Sequence, residues 1–239
     1  METINREALV TMAMNEASVD HKTRRPSAYE LFLLAVVALV FVWSGIKPHD
    51  RFTWGLEVAP VIIALPVLIF AYPQFRFTPL AYTLIALHSV ILMVGGHYTY
   101  AEVPLGFRMQ EWFGFTRNHY DRIGHFAQGF VPAVVAREIL LRLSPLRGSR
   151  WLPAFVISFC LAFSAFYELI EFWTAVATGG RAEAFLGTQG DPWDTQWDMM
   201  LALIGAILAV LLLSRWHDRQ LWPIDATDTR RPPIWSGLP

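Results

Sequence analysis

The sequence is poor in cysteine and in charge. Cys160 is the only cysteine among 239 residues, which excludes an intramolecular disulfide and a metal site built from several cysteines. Asp, Glu, Lys and Arg make up 16% of the chain, whereas soluble domains usually have about a quarter. The formal net charge of −1 provides no basic excess to neutralise phosphates, so the composition predicts no nucleic-acid partner.

Apolar residues are abundant instead, and they are gathered into long runs. They make up 54% of the chain, and six runs reach the roughly 20 residues that an α-helix needs to cross the hydrocarbon of a membrane. The runs cover 29–46, 52–72, 79–96, 121–143, 151–177 and 197–213. The sequence therefore predicts an all-α integral membrane protein, a single bundle of about six transmembrane helices.

The distribution of positive charge predicts the orientation of this bundle. With the N-terminus inside, twelve of the 19 Lys and Arg residues lie on the cytoplasmic side and six outside, while Arg137 lies within a helix. This bias fits the positive-inside rule and places both termini in the cytoplasm. The domain boundaries that follow are a disordered cytoplasmic tail at 1–27, a six-helix domain at 28–220 and a flexible cytoplasmic tail at 221–239.

Ionisable residues concentrate in the outer halves of the last three predicted helices. Residues three, four or seven positions apart share one face of a helix, and each of these helices carries such a polar stripe. The stripes are Asp121, His125 and Gln128 on the fourth helix; Ser164, Glu168 and Glu171 on the fifth; and Asp191, Asp194 and Asp198 at the start of the sixth. Ionisable groups cost about 2.5–3.5 kcal/mol each at the centre of a membrane helix, so a chain that keeps several must pair, hydrate or use them.

Structural interpretations compete with functional ones at several of these positions. Asp191 and Asp194 are typical of residues that cap a helix N-terminus, and His125 is equally typical of a histidine that bonds neighbouring helices together. Glu168 and Glu171 favour function, because two carboxylates one turn apart in an apolar run repel each other unless a proton or cation intervenes. Arg137 and Glu138 are interpreted as a boundary pair near the inner face.

If the stripes converge, their chemistry suits metal binding or acid–base catalysis. Imidazole and carboxylate ligands fit Zn²⁺, Mn²⁺ or Mg²⁺, so a divalent metal is the candidate cofactor, with His125, Glu168 and Asp198 as its candidate ligands. The same three residues are the candidate catalytic groups. Substrate binding is predicted for the remaining members of the stripes, namely Asp121, Gln128, Glu171, Asp191 and Asp194.

Five segments of the chain resemble the YjdF-type bacterial inner-membrane proteins. They read W-S-G-I-K-P-H-D-R-F-T-W-G-L-E-V-A-P, G-G-H-Y-T-Y-A-E-V-P-L-G, R-N-H-Y-D-R-I-G-H-F-A-Q-G-F, F-S-A-F-Y-E-L-I-E-F-W and L-G-T-Q-G-D-P-W-D-T-Q-W-D-M. The resemblance extends over about 29–220. It implies a multi-pass protein of the bacterial inner membrane and implies no particular activity.

A more distant similarity is to the VanZ-like membrane proteins, whose pattern is Asp-Lys and His on one helix, Glu on the next, and Asp followed by Asn and Gly on a third. Arg122 stands where that pattern has Lys, and Asp198 stands where Asn is common. The similarity implies a shared site and no defined chemistry. The matching residues here are Asp121, Arg122, His125, Glu168 or Glu171, Asp194, Asp198 and Gly205.

Three functions are compatible with these features. The first is an enzyme or binding protein for a lipid-linked or envelope substrate at the outer face, and it is the one we favour. The second is a small oligomeric transporter or proton pathway, which would need polar residues to continue through the inner half. The third is an accessory subunit in which the stripes only hold helices together. The candidate partners are therefore membrane lipid, a lipid-linked envelope precursor and further copies of this chain.

Overall fold

A computed structural model describes residues 25–179 and 183–226, and the described residues form α-helices without strands. The long helices follow the predicted runs closely, so the all-α prediction is confirmed. The helices are α1 (Ala28–Gly45), α2 (Arg51–Ala71), α3 (Pro79–Tyr98), α4 (Pro104–Phe113), α5 (Tyr120–Leu143), α6 (Leu152–Thr178), α7 (Glu183–Leu186) and α8 (Asp194–Ala226). A 3₁₀ turn at Tyr100–Glu102 connects α3 to α4.

Several helices begin where side chains satisfy free backbone N–H groups. Ser27 and Glu30 form a capping box at the start of α1. Asp50 accepts the N–H of Thr53 at 2.6 Å at the start of α2. Thr78 caps α3, whose first residue is a proline. These signals explain why the first three helices begin within one residue of their predicted positions.

Five of the long helices are long and apolar enough to cross a membrane, and α5 is the exception. This helix is the most polar of the six, yet many of its residues are buried inside the bundle. Because neighbouring helices surround α5, it does not need the apolar exterior that a lipid-facing helix requires. The central position of α5 thus accounts for its weak hydrophobicity.

The closest helix contact joins α5 to α8. A Cβ atom added to Gly129 on α5 would collide with the carbonyl oxygen of Ala202, and one added to Gly205 on α8 would collide with that of Phe126. Small residues of this kind let two membrane helices approach closely. Around this pair, α5 also contacts α3 and α6, while α1 and α2 pack on the far side of α3.

The start of α1 and the end of α8 lie at the same end of the bundle as the start of α3. Glu30 of α1 binds Arg76, which precedes α3, at 2.6 Å, and the N–H of Leu80 donates to Gln220 of α8 at 2.8 Å. The helix α8 continues to Ala226, past the boundary predicted at residue 220. The remaining parts of both predicted tails, 1–24 and 227–239, lie outside the described residues, and the cytoplasmic location of the termini stays a prediction.

An apolar cavity of about 330 Å³ lies between α1, α2 and α3. Leu34, Val61 and Ile85 are among its wall residues, and Glu30 and Tyr72 also line it. The cavity includes none of the ionisable residues of the three predicted stripes, so it is not the candidate site.

Candidate functional site

His125 lies at the centre of a buried group of carboxylates. Its Nε2 atom is 3.4 Å from Oδ1 of Asp121, one turn earlier on α5, and 3.9 Å from Oδ1 of Asp198 on α8. On the opposite side of the ring, Nδ1 is 3.7 Å from Oε1 of Glu168 on α6 and 3.0 Å from Oε1 of Gln128. The imidazole therefore faces carboxylates from three helices.

Two more acidic residues belong to the same group. Glu171 lies one turn beyond Glu168 on α6 and is 9% exposed. Glu57 of α2 is 4% exposed and accepts a hydrogen bond from the hydroxyl of Tyr167 at 3.4 Å. We call this set the His125 cluster, and its members are Glu57, Asp121, His125, Glu168, Glu171 and Asp198.

Two arginines connect the His125 cluster to the loop before α8. Arg122 donates to Asp198 and also binds Asp194 at 2.8 Å and Asp191 at 3.1 Å. Arg117 binds Asp194 at 2.7 Å and Asp191 at 3.3 Å. Asp191 and Asp194 thus serve mainly as partners of arginine. Asp191 also accepts the N–H of Trp193, which precedes α8, so this bond closes a turn before the helix and does not cap it.

The segment around α4 covers the same end of the bundle. Asn118 and Gln189 exchange two hydrogen bonds of 2.9 Å, which join the segment after α4 to the loop before α8. On α4 the apolar side chains of Trp112 and Phe113 are each 65% exposed. A short helix with exposed aromatic residues is typical of a membrane interface.

Two ionisable residues outside the spanning helices adjoin the cluster. Burial, together with the charges of Arg117 and Arg122, lowers the pKa of His119, which favours its neutral form. Burial raises the pKa of Tyr100 well above its usual range. Tyr100 therefore keeps its hydroxyl proton, and its ring packs where Gly95 and Gly124 leave room beside α3 and α5.

Several polar atoms in this region have no hydrogen-bond partner. Oδ2 of Asp121, Oε1 of Glu168 and Oγ of Ser164 are all buried and have no partner among the residues that the structure describes. Asp121 and Glu168 are each only 7% exposed, and an unpaired buried polar atom costs about 1–3 kcal/mol. The His125 cluster thus contains more acceptors than its protein donors satisfy.

A second buried ionisable group, at the other end of α5, is fully paired. Glu138 is completely buried and accepts hydrogen bonds from Thr78, from Arg142 at 2.9 Å and from His217 at 3.0 Å. Because Arg137 can only donate, its 3.1 Å contact to Nδ1 of His217 indicates that the histidine proton lies on Nε2. We call this set the Glu138 cluster, and its members are Thr78, Arg137, Glu138, Arg142 and His217.

The predicted pairing of Arg137 with Glu138 is wrong. Arg137 binds Asp218 at 2.7 Å, and Glu138 binds Arg142 instead. Adjacent residues of a helix point in different directions, whereas residues four apart are neighbours on one face. This geometry separates Arg137 from Glu138 and brings Arg142 to it.

The structure brings all of the predicted site residues to one end of the bundle. Asp121, Glu168 and Asp198 contact His125 directly, and Asp191 and Asp194 connect to it through arginines. Sequence reasoning missed Tyr167 and the ion pairs that Arg117 and Arg122 make with the acidic residues before and within α8, and it named Arg122 as a site residue only through the VanZ-like pattern. Arg122 stands three residues before His125, so helical spacing alone could have placed it beside the fourth-helix stripe.

These features define a class of protein: a multi-pass, all-α membrane protein with an acidic, histidine-containing site buried at one end of its bundle. The family described as "Predicted membrane protein (DUF2238)" matches residues 29–219, and the chain belongs to it. The inner membrane protein YjdF of Escherichia coli strain K12 is 55% identical over 185 residues, which cover 77% of this chain and 88% of that protein. No solved structure matches.

These matches confirm the predicted resemblance to the YjdF-type proteins and the inner-membrane location. Neither match concerns the VanZ-like proteins, so that similarity stays a prediction.

Proposed function

We propose that this protein binds and processes a lipid-linked or envelope substrate at the His125 cluster. The observation that carries the proposal is the set of buried carboxylates around one histidine, with oxygens of Asp121 and Glu168 that no donor in the described part of the chain reaches. A purely structural network would be expected to satisfy such atoms, since each unpaired one opposes folding. Buried polar groups without hydrogen-bond partners, beside others that have them, are typical of a binding site where a ligand supplies the missing partners.

The residue types support a division of roles within the cluster. His125 and Glu168 are a histidine and a carboxylate 3.7 Å apart, close enough to exchange a proton through a small shift or one water. Asp198 is held by Arg122, which fixes its orientation towards the histidine. We assign acid–base chemistry to His125 and Glu168, and substrate binding to Glu171, Asp191 and Asp194.

The surroundings of the cluster support a substrate that arrives from the membrane. The aromatic side chains of α4 are suited to the lipid interface, and the Asn118–Gln189 hydrogen bonds connect that segment to the loop that holds Asp191 and Asp194. A molecule with a lipid anchor and a polar head would meet α4 before it reached the carboxylates.

The packing between the two clusters favours this function over a transport pathway. Along α5, apolar residues such as Val131 and Val134 separate His125 from Glu138, and Val156, Cys160 and Ala206 pack against the same layer. A proton or ion path would need polar atoms or water through this layer. Transport remains the alternative hypothesis that the experiment below also addresses.

The test compares molecules that copurify with the protein. Wild-type protein, the His125→Ala/Glu168→Gln double variant and the exposed control Glu111→Gln are extracted into native lipid discs, and their bound lipids and envelope precursors are identified by mass spectrometry. We expect at least one species to be enriched with wild type and Glu111→Gln and depleted about tenfold or more in the double variant, in line with the loss of a few kcal/mol of binding.

A second arm tests processing. Purified protein is incubated with an inner-membrane lipid extract supplemented with lipid-linked sugar precursors, and products are followed by mass. Identical bound species and an absence of product for both wild type and the double variant would overturn the proposal. Proton or cation flux into liposomes that depends on His125 would support transport instead.

A further inference from the structure

We propose that Asp121, His125 and Asp198 bind one divalent transition-metal ion, with Nε2 of His125 as its nitrogen ligand. The inference deepens the function proposed above, because it names a cofactor for the same site. Asp121, His125 and Asp198 are 7%, 6% and 2% exposed. Each offers one ligand atom, and the three atoms lie within 4.8 Å of one another.

The spacing of the three ligand atoms suits a metal better than direct hydrogen bonds. Nε2 of His125 is 3.4 Å from Asp121 and 3.9 Å from Asp198, whereas N–H···O bonds usually span about 2.7–3.2 Å. Tetrahedral zinc has ligand distances of about 2.0–2.2 Å, which put neighbouring ligand atoms about 3.4 Å apart. The three ligand atoms are already gathered within 4.8 Å of one another, as a single ion would require.

Gln128 fixes the histidine in the tautomer that a metal requires. Its Oε1 atom lies 3.0 Å from Nδ1 of His125, and an amide oxygen can only accept, so the proton belongs on Nδ1. The lone pair of Nε2 in this tautomer points at two carboxylate oxygens, an arrangement that is favourable only when a metal ion or a second proton lies between them. Histidine ligands of metals usually donate their other ring N–H to a neighbouring acceptor, and Gln128 is placed to be that acceptor.

An independent observation also points to a ligand at this position. Oδ2 of Asp121 is buried without a partner, so the protein leaves part of this carboxylate free for an ion or for water bound to one. Asp198 keeps its orientation through Arg122. Three protein ligands with one open position are typical of catalytic zinc sites. The imidazole ligand favours Zn²⁺ or Mn²⁺ over Mg²⁺ and Ca²⁺.

Ligand atoms of His125, Glu168 and Glu171 also lie within 4.8 Å of one another, and the contact of Gln128 with Nδ1 of His125 argues against this second set. Glu168 lies on the Nδ1 side of the ring, where Gln128 already accepts the hydrogen bond. The sequence hypothesis used Glu168 as a ligand with His125 and Asp198, and our proposal replaces Glu168 with Asp121. With both ring nitrogens of His125 committed, the ion would replace the acid–base role proposed above for His125, and Glu168 would keep that role on the Nδ1 side of the ring.

The test measures metal in purified protein. Wild-type protein in detergent is analysed for elemental content, then stripped with a chelator and titrated with Zn²⁺ and Mn²⁺. We expect about one ion per chain for wild type and for Glu168→Gln, with affinity reduced at least tenfold in Asp121→Asn and Asp198→Asn. Gln128→Leu should weaken binding by about 10–100-fold, as expected for loss of the hydrogen bond that orients the histidine.

The variants Asp121→Asn and Asp198→Asn keep the shape of each side chain, and their thermal unfolding midpoints show whether they are folded. The inference is overturned if folded wild-type protein binds neither ion, or if Glu168→Gln loses metal as completely as Asp121→Asn does. The two proposals fail separately. Substrate capture without metal would overturn only the metal site, while metal binding without any captured or processed molecule would overturn only the proposed function.

Discussion

The two ends of α5 each bury a histidine and carboxylates, and they differ in how completely these groups are paired. In the Glu138 cluster, both oxygens of one carboxylate accept hydrogen bonds from three residues. In the His125 cluster, five carboxylates surround one histidine, and buried oxygens of Asp121 and Glu168 have no donor. The same helix therefore contributes to one hydrogen-bond network in which every buried acceptor has a donor and to another in which some buried acceptors have none.

This difference indicates that the Glu138 cluster stabilises the fold, whereas the His125 cluster has the features of a functional site. A buried carboxylate opposes folding unless hydrogen bonds and opposite charges compensate for its lost hydration. Glu138 has that compensation and also connects three helices through Thr78, Arg142 and His217, so its role is to hold the bundle together. The His125 cluster lacks full compensation, which is the condition expected of a site that a ligand completes.

The largest expected effect is the loss of stability in Glu138→Ala. The substitution leaves Arg142 and His217 buried without their acceptor, and breaking a buried pair in this way costs about 3–5 kcal/mol. The free energy of unfolding in detergent, from denaturant titration, measures it. Should the variant fail to purify, Glu138→Gln gives a smaller loss of the same sign. Equal stability of Glu138→Ala and wild type would remove the distinction between the clusters.

A smaller loss of stability is expected for Gly129→Ala, which changes the contact between α5 and α8. Both clusters contain residues from these two helices. Its new methyl group would collide with the carbonyl of Ala202, and overpacking of this kind costs about 1–3 kcal/mol. Gly55→Ala is the matched control, because a Cβ at Gly55 meets nothing within 4 Å. We expect the thermal midpoint to fall only for Gly129→Ala, and an equal response of both variants would argue against a tight α5–α8 contact.

Much of the fold follows from the sequence alone, because membrane helices must satisfy their own backbone hydrogen bonds and expose apolar side chains to lipid. For example, the apolar run predicted at 151–177 corresponds to the helix Leu152–Thr178 in the structure. The weak signal of 121–143 was the informative exception, since a helix surrounded by other helices can carry polar residues. The sequence could not show that this helix is central, because hydropathy does not report which helices are neighbours.

The candidate site was predictable only in part. Helical spacing placed Asp121 and His125 on one face, but the distance between His125 and Asp198 depends on how closely α5 and α8 approach. The pairing of Glu138 with His217, 79 residues apart, depends on the same packing. The wrong pairing of Arg137 with Glu138 shows the limit of reasoning from sequence proximity.

The comparison also predicts that removing two different buried hydroxyl groups changes the stability of the protein in opposite directions. Thr78 donates its hydroxyl to Glu138 at 2.8 Å, so Thr78→Val should destabilise the protein by about 1–2 kcal/mol. The hydroxyl of Ser164 has no partner among the described residues, so Ser164→Ala should raise the free energy of unfolding by about 1 kcal/mol, because it removes an unpaired buried polar atom. Unfolding free energies of the two variants are compared under one condition. A loss of stability for Ser164→Ala would mean that the hydroxyl has a partner in the membrane.

The smallest expected effect is a gain in stability in Glu171→Gln. Glu168 and Glu171 lie one turn apart, and like charges at this spacing destabilise a helix by about 0.2–0.5 kcal/mol. Replacing Glu171 with its neutral isostere removes the repulsion and keeps the volume. We expect a slightly higher free energy of unfolding, with the exposed Glu102→Gln unchanged. The gain should grow towards alkaline pH, where the wild-type carboxyls ionise, and shrink in acid, where protonation removes the repulsion. A loss of 1 kcal/mol or more would instead mean that Glu171 is bonded as fully as Glu138, and the contrast between the two ends of the bundle would then rest on Asp121 and Glu168 alone.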